Sequence, residues 1–503
     1  MIYMLNQYLM ELNSGVEFAE INRLRLLKDA DIPAKIVTRD YNPSLHHNLD
    51  LLKIADTDVI NMYDFFQETQ AVEEKYLRTT DLDFAHQYAV EQGANFSRVS
   101  DEDHIMADVY FLPGTVGRVD YINYYDEFGH TAMREHFDWR GFKSMDEYFT
   151  PTGEPVFKAF YKVNGKKALE EYYMQNSEGG TVVSLLKLID YKGQDYNFDN
   201  LDEIFTFFLD ELNKSEGKNQ TFIADRPAET NLPMLNMATP ARKYLSLPIL
   251  HSVERSNQLS GPIDPVYEVA LKKRLHELSG IIVMTNAQRS DLLQNLKQPK
   301  IPVYVLPGAY VPEQSGARIP VKNRIENKLI FVGRLGEEKK IDQIIRAFSI
   351  VEYANSNTSL DIYGYGDKDY VDGLKELISS LKLDGKITIK GYQQSLDEVY
   401  DSAQLFISAN HSDAMPIAMV DALGHGVPVV TFDDHYGPKE IVKNGVDGLL
   451  IKDGDLTTFA KAILELLDDK ELLQQFSDQA YSNSTKDFGR ELLAERWDEL
   501  LNA

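Results

Sequence analysis

The sequence predicts an α/β fold in which two Rossmann-like domains face each other across a cleft, with an antiparallel β-sheet domain inserted into the first. Three observations predict it. Apolar strands alternate regularly with amphipathic helices over the last third of the 503 residues, the same texture opens the chain, and short tyrosine- and phenylalanine-rich runs separate the opening from the return of that texture. Strands joined through helices of about ten residues need crossover connections, and hence parallel sheets covered on both faces.

The elements follow in order. An apolar opening runs into the turn Asn13-Ser14-Gly15, a helix over 17–29 and a strand over 34–38. From about Phe65 to Asn200 the runs alternate with turn signals, among them Asn164-Gly165, which predicts a type I′ hairpin. A helix over 201–212 and strands over 221–225, 247–250, 280–284 and 303–306 restore the parallel pattern, and a charged, proline-containing linker spans 317–327. Strands over 329–332, 360–363, 387–389, 405–408 and 427–432 then alternate with helices, and a terminal helix over 490–501 is expected to pack back on the first domain. The expected division is 1–64 with 199–316 as the first Rossmann-like domain, 65–198 as the insert, 317–480 as the second Rossmann-like domain and 481–503 as the returning helix.

Composition narrows the function. The length suits two or three domains, and 43% hydrophobic with 26% charged residues is that of an ordinary globular protein. No window approaches a span of about eighteen apolar residues, and the N-terminus lacks the basic flank of a signal peptide, so the expected location is the cytoplasm. Cysteine is absent, which removes disulfides, thiolate metal sites and cysteine nucleophiles. A net charge of −27 opposes nucleic acid and anionic membrane surfaces as global partners, while leaving room for a local basic pocket.

Four features lie where loops leave the carboxyl ends of strands, the ligand edge of an open α/β sheet. Arg334 ends a strand in Phe331-Val332-Gly333-Arg334-Leu335 and Lys339 follows five residues on, a fork of donors and a point charge suited to a diphosphate; solvated surface charge is the plain alternative. Gly364 and Gly366 permit close backbone approach to a ligand or make an ordinary turn. In the segment 407–423, Met415, Pro416 and Ile417 open a helix whose N–H groups face a phosphate or sugar oxygen, Pro416 suiting its first position. Asp413 in the preceding loop is a ligand contact or a helix cap, and Asp421 a ligand contact or an exposed helix charge. His251 follows an apolar strand and Gly15 sits at the first turn; each is ambiguous singly.

Together, Gly-Arg-Leu-(x)4-Lys, the later Gly-Tyr-Gly, the acidic-x7-acidic pair before Gly-Val-Pro-Val-Val and the closing Tyr436-Gly437-Pro438-Lys439-Glu440-Ile441-Val442 resemble the GT-B retaining glycosyltransferases of family 4. Ser14-Gly15-Val16-Glu17-Phe18-Ala19 and the β-rich insert are similar to the wall-teichoic-acid glycosyltransferases of TagE/TarM type and the accessory-Sec glycosyltransferase GtfA. The resemblance implies a UDP-sugar donor, UDP-glucose or UDP-N-acetylglucosamine, with no metal and no further cofactor. Arg334 and Lys339 would neutralise the diphosphate, Gly15 would leave room for phosphate or acceptor, and His251 would bond the donor sugar near its 6-hydroxyl. Asp413 would hold the sugar's 3- and 4-hydroxyls and Asp421 the ribose. The acceptor would be a serine-rich protein or a cell-wall polymer, the assembly a homo-oligomer or a hetero-oligomer with a related glycosyltransferase, and the working place the cytoplasm or the inner face of the membrane as a peripheral protein.

One departure carries weight. The family has glutamate at both acidic positions, and a carboxylate one methylene shorter falls short by roughly 1 Å unless the backbone moves, a misplacement that costs on the order of 10²-fold in rate. Two readings follow: an active transferase, or a catalytically weakened subunit that stabilises an active partner. Residues 65–200 hold 13 basic and 24 acidic side chains, a field that favours a serine-rich protein over a polyanionic polymer.

Overall fold

The computed structural model describes residues 1–215, 217, 219–312, 318–410 and 413–502; Ala317, His411 and Ser412, which the sequence reading placed in the linker and the ligand loop, lie outside the described residues. Among the described residues there are two parallel sheets and one antiparallel sheet. The first parallel sheet has seven strands in the spatial order Val303–Val305, Gly280–Val283, Arg242–Leu247, Thr221–Ala224, Ile2–Asn6, Ala34–Thr38 and Val59–Asn61. The second has six: Ile387–Gly391, Ser359–Tyr363, Lys328–Val332, Leu405–Ser408, Val429–Phe432 and Gly448–Ile451. In each lobe strand order reverses beside the first strand, at Ile2–Asn6 against Thr221–Ala224 and at Lys328–Val332 against Leu405–Ser408. Helices diverge to opposite faces there and leave a crevice at the carboxyl ends.

Between the third and fourth strands of the first sheet the chain leaves to form a ten-stranded antiparallel meander from Ala89–Gln92 to Gln194–Phe198. Five of its turns, 126–130, 138–142, 150–154, 162–166 and 176–180, are built alike: the first N–H donates to the fifth carbonyl at 2.8–2.9 Å, and the glycine N–H at the fourth position donates back to the first carbonyl at 2.8–3.0 Å. Each glycine has φ between 79° and 85°. The hairpin at Asn164-Gly165 belongs to this set. Only Gly165 is left-handed, so the turn is type I with a glycine bulge rather than the expected type I′. The meander's inner face, with Phe160, Leu169, Leu186 and Leu188, packs on Tyr63 and Phe66 of the helix Met62–Gln67 and on Phe205 and Phe208 of the helix Leu201–Ser215, while most of its own rings, among them Tyr121 and Phe157, are half-buried.

The strand expected over 247–250 lies upstream instead, at Arg242–Leu247, and ends before Pro248, which has no N–H to continue the ladder. The two lobes are joined through one apolar core that includes Leu24, Tyr244, Met419, Trp497 and Leu500. The last helix, Arg490–Asn502, lies on the first lobe: Arg242 donates to the Leu501 carbonyl at 2.6 Å, Tyr244 to that of Leu500 at 3.3 Å, and the Arg23 guanidinium stands 5.2 Å from the Trp497 ring centre. The lobes also meet where the Glu440 carboxylate accepts the N–H groups of Asn286 (2.9 Å) and Ala287 (2.7 Å), closing the start of the helix Asn286–Asn295, and where Tyr436 donates to Asp291 at 2.6 Å. Among the described residues no helix is long and apolar enough to cross a membrane.

The glycines of the Gly-Tyr-Gly loop are set by backbone packing. A Cβ on Gly364, whose φ is +142°, would stand 1.8 Å from the Gly333 carbonyl oxygen, and one on Gly366 would stand 1.9 Å from that of Leu335. Gly364→Ala should therefore destabilise the second lobe by about 3 kcal/mol or more, whereas Gly373→Ala, in the open interior of the helix Lys368–Ser380, should stabilise it by about 0.5–1 kcal/mol. Amide hydrogen exchange of that lobe's strands measures both; equal effects would refute the packing argument.

Candidate active site in the interlobe cleft

The two crevices face each other and enclose a cavity of about 1370 Å³. On the first lobe its wall is the start of the helix Gly15–Asp29. Ser14 caps this helix, its hydroxyl accepting the Val16 N–H at 3.3 Å, while Glu17 takes the Ser14 N–H (2.8 Å) and hydroxyl (2.7 Å) on one carboxylate oxygen. Gly15 faces open space: a Cβ there would meet nothing within 4 Å. The other oxygen of Glu17 holds Arg226, whose Nε and Nη2 approach it at 2.8 and 2.6 Å. Beneath lies the buried pair Arg23–Asp225 at 2.6 Å, and burial together with the Asp225 charge pushes the Glu20 carboxyl well above its usual range.

The second lobe supplies the opposite wall. Gly333 and Leu335 are pinned to the Gly-Tyr-Gly loop by N–H bonds to the carbonyls of Tyr363 (3.1 Å) and Tyr365 (2.7 Å). That contact fixes where Arg334 leaves the strand. Arg334 pairs with Glu338 at 2.6 Å, its side chain 60% exposed to the cleft and solvent. Lys339 is different. Its side chain is only 12% exposed and its ammonium pairs with the Asp413 carboxylate. The cations five residues apart are thus split: one reaches outward, the other is held at the loop before the helix Ile417–Gly424.

Asp413 also pairs as an isolated antiparallel bridge with Ile249 of the first lobe, so the two walls touch at this residue. Met415 and Pro416 are buried and Ile417 is half-buried, all lining the cleft; Pro416 precedes the first helical residue instead of occupying that position, and it rests under Gly437, whose Cβ would meet the proline ring at 2.4 Å. Asp421 lines the cleft and is not the exposed helix charge that was the alternative for it. Burial, and secondarily the Asp397 carboxylate, push its pKa up to about 7, with Arg25 of the first lobe opposing.

Gly15, Arg334, Lys339, Gly364, Asp413, Met415, Pro416, Ile417 and Asp421 therefore converge on one cavity. His251 does not line it. It is fully buried, its Nε2 donates to the Gln258 carbonyl at 2.8 Å, its Nδ1 is buried without a hydrogen-bond partner, and burial lowers its pKa, so it is a neutral imidazole. Its neighbours Pro248 and Ile249 form the lining at that point. Sequence reading missed Arg226, Arg25 and Tyr365, which also line the cleft. Arg226 carried a readable signal, since it follows the strand and acidic residue Thr221-Phe222-Ile223-Ala224-Asp225 at a carboxyl end.

Two family models match the chain: the first of the accessory Sec system proteins over residues 6–368, and glycosyl transferases group 1 over residues 317–483. A poly(ribitol-phosphate) alpha-N-acetylglucosaminyltransferase of Staphylococcus aureus (strain COL) is 23% identical over 97% of each chain, and the UDP-N-acetylglucosamine–peptide N-acetylglucosaminyltransferase GtfA subunit of Streptococcus parasanguinis is 25% identical over 100% of this chain and 99% of its own. A poly(glycerol-phosphate) alpha-glucosyltransferase of Bacillus subtilis (strain 168) is 25% identical over 60% of this chain, which spans 43% of that relative's length. The crystal structure of the pneumococcal O-GlcNAc transferase GtfA in complex with UDP and GlcNAc superposes with a TM-score of 0.84 at 20% identity, covering 100% of this chain and 99% of the other. With its facing parallel sheets, its inserted meander and these matches, the chain has the GT-B fold, carries a glycosyl transferases group 1 domain over residues 317–483, and belongs to that accessory Sec system protein family.

Proposed function

We propose that this chain is a retaining hexosyltransferase that moves glucose or N-acetylglucosamine from a UDP-sugar to hydroxyls of a serine-rich surface protein, with wall teichoic acid as the alternative acceptor. The observation that carries the reading is the meeting of Lys339, Asp413 and Arg334 on one wall with the capped helix start at Gly15 on the other, around a cavity large enough for a nucleotide sugar. Arg334 and Lys339 take the diphosphate, Asp413 the sugar hydroxyls, and Asp421 the ribose. Gly364 and the backbone of Met415, Pro416 and Ile417 border the nucleotide, and Gly15 leaves room where phosphate and acceptor meet. His251, buried and neutral, acts by shaping the wall at Ile249 or by offering Nδ1 as an acceptor to the sugar after a shift of that wall.

In this reading no side chain need act as nucleophile. The departing phosphate takes the acceptor proton on the face where the new bond forms, and the protein contributes positioning and fixed positive charge where negative charge grows. The acidic insert disfavours a polyanionic acceptor, and the cations on its strands are matched by carboxylates, as in Arg98–Asp108, Lys158–Glu147 and Lys167–Glu170. The second reading, a weakened subunit that stabilises an active partner, draws on the match to the accessory Sec system protein family and on aspartate at both acidic positions.

Three measurements follow. UDP-sugar hydrolysis by the purified chain separates the readings: turnover alone is expected, whereas none alone with turnover restored by a co-purified homologue establishes the second. Lys339→Met should lower kcat/KM by on the order of 10²-fold or more through the lost charge at the leaving group; an unchanged value would remove Lys339 from the site. Because Asp421 keeps its proton up to about pH 7 and its ionised form accepts both ribose hydroxyls, affinity for UDP-N-acetylglucosamine should rise as pH passes upward through 7 and then level off. The Asp421→Asn protein should bind more weakly and lose this dependence in calorimetric titrations.

A further inference from the structure

We propose that Arg226 is a phosphate-binding residue of the cleft, contributed by the first lobe, and that buried Glu17 is its positioning residue; the inference rests on the cleft being a UDP-sugar site. Arg226 follows the fourth strand of the first sheet, beside the point where strand order reverses. It occupies the same topological position in its lobe that the Asp413 loop occupies in the other, so it stands at a crevice by construction. Its side chain is only 25% exposed and lines the cavity.

Its orientation is fixed. Nε and Nη2 both address one oxygen of Glu17, a carboxylate with no solvent exposure whose second oxygen closes the cap of the helix Gly15–Asp29. The Tyr8 ring lies 5.4 Å from the guanidinium carbon, and Nη2 also reaches the Ser14 hydroxyl at 3.4 Å. One edge of the fork is therefore spent on Glu17. Nη1 has no hydrogen-bond partner among the described residues, and it is the edge left for a second acceptor.

What that acceptor is follows from the opposite wall. Tyr365 lies between the lobes: burial raises its pKa, Glu17 and Tyr8 raise it further, and both Arg334 and Arg226 lower it. Two guanidinium groups, one from each lobe, line the same cavity as this tyrosine. Each already has one carboxylate, Glu338 or Glu17, and a further anion between them is the group that both can serve through charge-assisted bonds. Phosphate oxygens meet that need. They have two sources, the donor's diphosphate or a phosphodiester of a polyol-phosphate acceptor.

The test uses the full chain with Arg226→Gln, Arg226→Lys and Glu17→Gln, each checked for an unaltered melting profile. Calorimetry with UDP-N-acetylglucosamine and with inorganic pyrophosphate reads the donor source; KM for a polyol-phosphate oligomer against KM for a phosphate-free serine peptide reads the acceptor source. On the donor source, Arg226→Gln weakens donor and pyrophosphate binding about tenfold. On the acceptor source it raises only the polyol-phosphate KM, by a similar factor. In either case Arg226→Lys recovers part of the loss and Glu17→Gln, which keeps the guanidinium but frees it, falls between. Pyrophosphate binding that depends on Arg226 in a chain that ignores UDP-sugars keeps this inference and overturns the donor assignment. Unchanged donor, pyrophosphate and polyol-phosphate binding in folded Arg226→Gln, or an equal rise in both acceptor KM values, overturns the inference and leaves the donor assignment standing.

Discussion

Everything in this molecule is arranged around a property of parallel sheets: where strand order reverses, the helices that follow adjacent strands must go to opposite faces, and the strand ends between them cannot be covered. The chain makes this reversal twice. In the first lobe the uncovered ends are those of Ile2–Asn6 and Thr221–Ala224, and in the second those of Lys328–Val332 and Leu405–Ser408. Four chain exits result, leading to Ser14 and Gly15, to Arg226, to Arg334 and Lys339, and to Asp413. The remaining architecture holds these exits in register. Glu440 caps a helix of the other lobe, the last helix binds back to Arg242 and Tyr244, and the insert grips the first lobe through Phe205 and Phe208 rather than entering the cleft.

A protein of net charge −27 has to concentrate positive charge where an anion binds without letting its own carboxylates collapse the site. Here they are used as holders. Lys339 rests on Asp413, Arg334 on Glu338 and Arg226 on Glu17, so the cations are oriented without a ligand and the proposed anion would meet donors already in place. The arrangement weakens bare attraction, because each holder must be shared or displaced. It strengthens selectivity, because only a ligand with several correctly spaced oxygens replaces what the holders supply. Asp421 sits at the other extreme, a carboxylate crowded by Asp397 and kept near its neutral form by burial until about pH 7.

The second lobe and most of the site were legible because their signals are local: alternating apolar runs, Gly-Arg-Leu at a strand end, a proline before an apolar helix. What escaped depends on distant contacts. Gly364 and Gly366 read equally as a ligand approach or an ordinary turn, and the carbonyls of Gly333 and Leu335 that take up their space lie some thirty residues earlier. The apolar run 247–250 read as one strand, but pairing ends at Leu247, and His251 is consequently carried into the interior beside Gln258. Asn164-Gly165 promised a two-residue turn, whereas the regular five-residue frame of the meander was written in glycines twelve apart, Gly129, Gly141, Gly153 and Gly165, a spacing that local turn rules do not examine. Arg226 was missed although it follows a strand that was read, because its place beside the reversal of strand order shows only once that strand's neighbours are known.

The shorter acidic side chain at 413 gains its meaning from this geometry. A glutamate can search for its partner through side-chain rotation, while an aspartate takes its position mostly from the backbone. The Asp413 backbone pairs with Ile249 of the opposite lobe, and its carboxylate with Lys339 of its own. Its reach is therefore governed by how closely the lobes approach. Because that bridge links the loop to the first lobe, a change in lobe separation would move the carboxylate together with its loop. Aspartate at 413 thus ties the carboxylate proposed to meet the donor sugar to the contact between the lobes.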